Sequence, residues 1–249
     1  MGALTPRDEL EIEIPVSREP GVINESERSA IEPRSRSAVI QRAMNVVIAS
    51  AAIILVSPIM IVFAALIKLT SPGPIFYSQP RVGLDRRRGD GRQGIYDRRA
   101  RDIGGDPFMI YKFRTMRDDA ERHEGAVWAT RGDPRVTTVG RIMRKYRVDE
   151  LPQLFNVIRG EMNIVGPRPE RPSIFSRLCD DIQEYPLRQR AKPGITGWAQ
   201  VNHNYDTCVE DVRKKVRYDL EYLERQSVSE DLAIMARTLP VMIFNRGGW

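Results

Sequence analysis

VVIASAAIILVSPIMIVFAALIKL, residues Val46 to Leu69, is the stretch on which the fold turns, and it carries no charge before Lys68. A helix needs roughly 20 apolar residues to cross the hydrocarbon core of a bilayer, and this run supplies them. The competing reading is the core helix of a soluble protein. A helix apolar on every face needs more protein around it than a chain of 249 residues provides. Membrane insertion is therefore expected.

Two features complicate a simple crossing. Ser57-Pro58 sits mid-run, and an interior proline removes one backbone hydrogen bond and bends the helix. A neighbouring serine hydroxyl can bond the carbonyl so freed. Both flanks are also basic, with Arg34, Arg36 and Arg42 before the run and Lys68, Arg81 and Arg86 to Arg88 after it. A spanning segment keeps its positive flank on the cytoplasmic side. With no second apolar segment to bring the chain back, two readings stay open. One is a kinked crossing; the other is a re-entrant helix that bends at Ser57-Pro58 and leaves on the face it entered.

Outward from this helix, residues 1–37 are rich in Ser, Arg, Glu and Pro and read as a disordered or loosely ordered polar tail, not a secretory signal. After it, Ser71-Pro72-Gly73-Pro74 marks a turn. Strand-like runs at Ile75 to Tyr77 and Phe108 to Phe113 predict a β-hairpin interrupted by an arginine-rich, solvated inserted loop over 84–107. Lipid headgroups are the lesser expectation for those arginines. Leu151, Leu154, Phe155 and Ile158 form an apolar stripe at helical spacing, ended by Gly160. Val209 to Arg225 predicts a charged amphipathic helix. Leu232 to Phe244 predicts another, packed on the core or laid on the membrane surface. The fold class expected is α+β, mainly helical, with the membrane segment at 38–69 and the remaining domain at 70–249.

The net charge of +6 and pI near 9.5 point to an anionic partner: nucleic acid, acidic lipid or a phosphorylated substrate. Cys179 and Cys208 lack CxxC spacing, and His123 and His203 are the only histidines, which argues against a disulfide framework or a zinc site. Asp149-Glu150 is the carboxylate pair that draws interest. Asp149 is expected to cap the helix beginning near Leu151, where the dipole favours its ionised form. It could then attack phosphorus while Glu150 holds Mg²⁺ with substrate phosphates. The plain alternative is a cap and nothing more. Basic groups surround the pair in sequence: Gly140 to Lys145 with Arg144, Arg168 between Pro167 and Pro169, and Lys112 and Arg114 in KFRTM. Prolines on both sides present the Arg168 guanidinium with little conformational freedom.

The ordered segments SPGPIFYSQPRVG (71–83), KFRTM (112–116), VGRIMRKYRVDELPQLFNV (139–157), NIVGPRPE (163–170) and KPGITGWAQVN (192–202) resemble the monotopic bacterial phosphoglycosyl transferases. The resemblance spans roughly residues 38 to 245. It implies a bacterial inner-membrane enzyme with its active site on the cytoplasmic face and a re-entrant helix broken at Ser57-Pro58. It also implies transfer of sugar-1-phosphate from a UDP-sugar to polyprenyl phosphate. Asp149 would be the nucleophile of a covalent phospho-sugar intermediate, with UMP released, and Glu150 the Mg²⁺ ligand. Lys112, Arg114, Arg144 and Arg168 fall at positions associated with donor phosphates or with holding the site together. Membrane lipid, and not nucleic acid, is then the implied surface partner, and a homodimer stays open.

The chain departs from the family pattern in its long 84–107 loop. It also has His203-Asn204-Tyr205 where many members continue Gly-Arg after WAQVN. The polar tail implies the compact form, and VEDVRKKVRYDLEYLERQS (209–227) resembles the exopolysaccharide branch. Two other function classes fit the residues: a membrane-bound Mg²⁺-dependent phosphate-ester hydrolase, and a non-catalytic basic anchoring module.

Overall fold

The computed structural model describes residues 31–85, 105–120, 132–203 and 209–243. Helix α1 (Ala38–Thr70) holds the apolar run in one continuous element, with Ser37 accepting a cap hydrogen bond from the Ile40 amide. Its most apolar 18-residue window has mean hydropathy 2.8 and is only 11% buried by the protein. That low burial removes the soluble-core reading. Val47, Ile54, Leu55, Ile61 and Leu69 all face outward. At Pro58 the ladder loses the N–H that would bond the Ile54 carbonyl, and the Ser57 hydroxyl donates to that carbonyl at 2.9 Å.

The helix is stitched to the rest of the molecule at both ends. Near its start the Arg42 guanidinium donates to the carbonyls of Val157 and Ile158, and the Asn45 side chain accepts from the Ile164 amide at 2.7 Å. Near its end Met60 and Ile67 are buried with Phe113 and Met143, and Arg114 donates to the carbonyls of Ser71 and Pro72.

Strands β1 (Phe76–Val82) and β2 (Pro107–Phe113) form the expected antiparallel hairpin, with Phe76 opposite Phe113 and Val82 opposite Pro107. Pairing continues past the strands, since Gly83 donates to Asp106 and Asp106 to Leu84. Of the inserted loop, residues 86–104 lie outside the described residues, so its lipid role has no structural account.

Helix α2 (Thr138–Lys145) rests on the KFRTM segment. An added Cβ on Gly140 would stand 2.1 Å from the Thr115 carbonyl oxygen, so only glycine permits the approach. A 3-10 turn (Val148–Glu150) leads into α3 (Gln153–Arg159), closed by Gly160 at φ 84°. The predicted stripe is kept only in part, with Leu154 in the core and Leu151 and Ile158 packed against it. Gln153, Leu154, Asn156 and Val157 are buried, whereas Phe155 is 43% exposed. The helix starts two residues later than expected, since Leu151 and Pro152 still belong to the preceding turns. Asn156 then turns inward, donating to the Met109 carbonyl at 2.7 Å and accepting from the Tyr111 amide at 3.1 Å. One carboxamide thus satisfies the open edge of β2.

A second sheet was not anticipated. β3 (Asn163–Val165) and β4 (Gly194–Thr196) pair in parallel, each too short to show a periodic pattern. Between them lie α4 (Pro172–Asp181) and a 3-10 segment (Tyr185–Arg190). The chain closes with α5 (Trp198–Asn202), α6 (Val209–Arg225) and α7 (Val228–Ile243). In α7, Ile234 enters the core while Leu232, Ala233, Ala236 and Leu239 stay exposed, so packing on the core uses only one face. The mainly helical α+β expectation holds.

The expected loose tail is ordered over its last seven residues. Ile31 is buried, the Arg34 amide donates to the Leu223 carbonyl, and Arg36 pairs with Asp231 at 2.9 Å. The composition is polar, but its arginines find fixed partners on α6 and α7.

A Cβ on Gly194 would lie 2.1 Å from the Gly166 amide nitrogen. Gly194→Ala should therefore push β4 off the turn after β3, costing roughly 1–3 kcal/mol as overpacking does. A drop in the thermal unfolding midpoint in detergent checks this; an unchanged midpoint contradicts the close approach.

Candidate active site

Asp149 and Glu150 occupy the 3-10 turn between α2 and α3, and both are buried. Arg147, just before them, adopts a left-handed backbone at φ 57°, a conformation costing of order 1–3 kcal/mol for a non-glycine residue. The turn is closed by the Glu150 amide on the Arg147 carbonyl and the Leu151 amide on the Val148 carbonyl. Asp149 caps no helix, contrary to expectation. Position α3-minus-one belongs to Pro152, which makes no side-chain cap.

Cations gather on Glu150. Lys112, near the end of β2, sits 3.0 Å from Oε1, and Arg168 approaches the same oxygen at 2.5 Å and Oε2 at 3.2 Å. Arg147 adds a longer contact of 4.0 Å to Oε2. Burial opposes ionisation of Glu150, but Arg168 and Lys112 outweigh it and hold the carboxyl well below its usual range. Asp149 goes the other way. Burial first, and the Glu150 charge second, push its carboxyl up to about 6, with Lys112, Arg144 and Arg168 opposing. The expectation that a helix dipole keeps Asp149 strongly ionised is thus corrected, because no helix starts at it. Above about pH 6 it is still an anion.

Arg168 owes its place to the turn Gly166 to Glu170, every residue of which is tied through its backbone. Gly166 donates to the Thr196 carbonyl, and Gly194 donates to that of Pro167. Arg188 donates to the Arg168 carbonyl at 3.0 Å, Arg81 to that of Pro169 at 3.1 Å, and Val82 to that of Glu170 at 2.9 Å. KPGITG therefore serves as the floor on which the PRP turn rests.

The predicted cations divide into two groups. Lys112 and Arg168 converge on Glu150. Arg144, whose Nε donates to Thr115 Oγ1 at 2.9 Å, lies close enough to act on Asp149 electrostatically. Arg114 goes elsewhere: it is buried and spends its guanidinium on Ser71 and Pro72, so it fastens the end of α1 instead of facing the carboxylates. Sequence reasoning missed Arg81, Arg147 and Arg188. Arg81 pairs with Glu170 at 3.1 Å, and only its place in the ordered SPGPIFYSQPRVG segment signalled it.

A buried turn bearing two carboxylates of opposite electrostatic habit, in a ring of cations beside an exposed apolar helix, is suited to phosphate chemistry at a membrane surface. The model of the bacterial sugar transferase family matches residues 36–245. The chain belongs to that family. Among relatives of this bacterial sugar transferase, a UDP-N-acetylgalactosamine-undecaprenyl-phosphate N-acetylgalactosaminephosphotransferase of Aeromonas hydrophila is 40% identical, over 74% of this chain and 39% of its own length. A UDP-glucose:undecaprenyl-phosphate glucose-1-phosphate transferase of Caulobacter vibrioides is 41% identical, over 72% of this chain and 61% of its own. The exopolysaccharide production protein ExoY of Sinorhizobium fredii is 35% identical, over 74% and 76%. This sugar transferase thus spans about two-fifths of the Aeromonas relative's length and about three-quarters of ExoY's.

In the metal-free protein the Asp149 carboxyl should titrate at about 6, protonated below and ionised above, in a pH series of carboxyl ¹³C spectra. Glu150→Gln removes the charge that raises it and should move the midpoint down. An ordinary midpoint in the wild type, or an upward move in the variant, contradicts this electrostatic arrangement.

Proposed function

We propose that this bacterial sugar transferase moves sugar-1-phosphate from a UDP-sugar to polyprenyl phosphate, of the undecaprenyl type, as the first membrane step of exopolysaccharide or related glycan assembly. The observation that carries the reading is the unequal treatment of two adjacent buried carboxylates. Glu150 accepts hydrogen bonds from Lys112 and Arg168, whereas among the described residues none is donated to the Asp149 carboxylate. An ionised carboxylate without donors keeps its lone pairs for attack.

In the first step an Asp149 oxygen bonds to the β-phosphorus and the bond to the bridging oxygen breaks, releasing UMP. In the second, an oxygen of polyprenyl phosphate attacks the same phosphorus and the Asp149 carboxylate leaves. Catalysis is positioning and charge neutralisation, in which Lys112, Arg168 and Arg144 receive the phosphates. Among the described residues no group of three or more His, Cys, Asp or Glu surrounds this turn. The donor set suits Mg²⁺, which binds through one or two carboxylates plus substrate phosphates and keeps several waters. Glu150 Oε2 accepts one hydrogen bond, from Arg168, and has lone-pair capacity left for such an ion. When bound, Mg²⁺ would neutralise diphosphate charge.

The same reading places the enzyme on the cytoplasmic face of the inner membrane with α1 re-entrant. Support comes from attachment: the Arg42–Asn45 end and the Ser71–Pro72 end of α1 both bond to one protein body. A straight 33-residue helix is about 50 Å long, which would carry those ends to opposite sides of a bilayer.

Purified protein with Mg²⁺, undecaprenyl phosphate and a panel of UDP-sugars should release UMP, and Asp149→Asn should abolish release. A phospho-sugar adduct on Asp149 is expected by mass spectrometry when the lipid acceptor is withheld. Continuous UMP release without acceptor would instead mark a hydrolase. For topology, single cysteines replacing Ser35 and Pro74 in a cysteine-free background should both react with an impermeant maleimide only in broken cells. Labelling of either one in intact spheroplasts overturns re-entrance.

A further inference from the structure

Behind the Arg168 clamp lies a second buried charge pair. Arg188, in the 3-10 segment Tyr185–Arg190, is fully buried and meets Asp219 of α6 at 2.6 Å. Asp219 is equally hidden, at 1% exposure. The Arg188 guanidinium also donates to the Tyr185 hydroxyl at 2.8 Å and stands 5.0 Å from the centroid of that ring. Its remaining reach goes to the backbone carbonyl of Arg168 at 3.0 Å. From that carbonyl the chain runs directly to the guanidinium that holds Glu150.

Stability alone does not account for this arrangement. A buried ion pair is often matched or exceeded by well-packed apolar residues of similar volume, because desolvating both charges offsets their attraction. Methionine and leucine would fill the same space but could not grip a carbonyl. The neighbouring prolines fix the backbone on either side of Arg168, so anchoring its one carbonyl sets the direction in which the side chain leaves.

We propose that Asp219 and Arg188 are positioning residues for the Arg168–Glu150 clamp. Asp219 orients the Arg188 fork, Arg188 holds the Arg168 carbonyl, and α6 thereby sets where the phosphate-facing cation stands. The charged helix at 209–225 is thus part of the active-site support, not only a solvated face. The catalytic consequence rests on the function proposed above; the positioning itself does not.

The experiment uses the full chain in nanodiscs. The double variant Arg188→Met/Asp219→Leu keeps a filled, neutral core and should unfold near the wild-type midpoint. Its kcat/KM for UMP release should fall about 10- to 100-fold, the usual effect of losing the support behind a binding group. Combining it with Arg168→Lys should cost little beyond the larger single loss, since both act through one clamp. Amide exchange at Gly166, Gly194 and Val82, whose amides bond to this turn or from it, should speed up while α4 stays protected. Wild-type activity in the folded variant, multiplicative losses with Arg168→Lys, or unchanged exchange at those three amides would each overturn the proposal. If the double variant does not fold, Arg188→Lys preserves the charge pair but lacks the fork, and the same losses are expected. Should the wild type release no UMP from any donor, the proposed function fails while the exchange measurement still decides the positioning.

Discussion

An ionised carboxylate buried away from water must be surrounded by cations, and Glu150 imposes that requirement on much of this molecule. Leaving such a charge unpaired costs about 3–5 kcal/mol or more, a large share of a domain's net stability. Its partners come from separate places: Lys112 from the hairpin, Arg168 from the PRP turn and Arg147 from the turn itself. Each partner is then fixed by further bonds. Asn156 holds the edge of β2 near Lys112, and Arg188, Arg81 and the β3–β4 ladder hold the turn that bears Arg168. The electrostatics of one residue thereby explain why short strands, tight turns and close glycine contacts converge there.

The asymmetry of the dyad follows from the same arrangement. Cations directed at Glu150 leave Asp149 to feel mainly burial and its neighbour's negative charge, which raises its carboxyl while leaving it anionic at neutral pH. Two carboxylates one residue apart are thus given different chemical characters by which one the guanidinium and ammonium groups face. The apolar helix α1 belongs to this architecture as well. Asn45 bonds the Ile164 amide beside the PRP turn, and Arg114 ties the far end of the helix to the strand that carries Lys112. Polar anchors at both ends, with a hydroxyl serving the carbonyl at Pro58, fix the apolar element relative to the carboxylates.

Much of this was legible in the residues. The long uncharged run could only be a helix lacking protein cover, and its composition alone dictated the exposed apolar face seen along α1. The hairpin and the helix end at Gly160 also followed from local patterns. The α3 stripe did so only in part. Periodicity counts apolar residues, yet the inward face was chosen by Asn156, a polar group whose partners lie on a strand 45 residues away. Three-residue parallel strands carry no period at all, so the second sheet was invisible.

Sequence by itself determined what local chemistry controls: a long apolar helix, a hairpin, a helix end at glycine, and an adjacent carboxylate pair in a basic chain. Tertiary structure alone decided how charges were shared. Arg114 and Arg168 are both arginines flanked by motif residues, yet one closes on the Ser71 and Pro72 carbonyls and the other on Glu150. Composition marked the stretch before the helix only as polar, but placement gave Arg36 a buried partner in Asp231. The reason is physical: the apolar burial that drives helices and strands is encoded in nearby residues, whereas the worth of a charge depends on which distant groups share its low-dielectric surroundings.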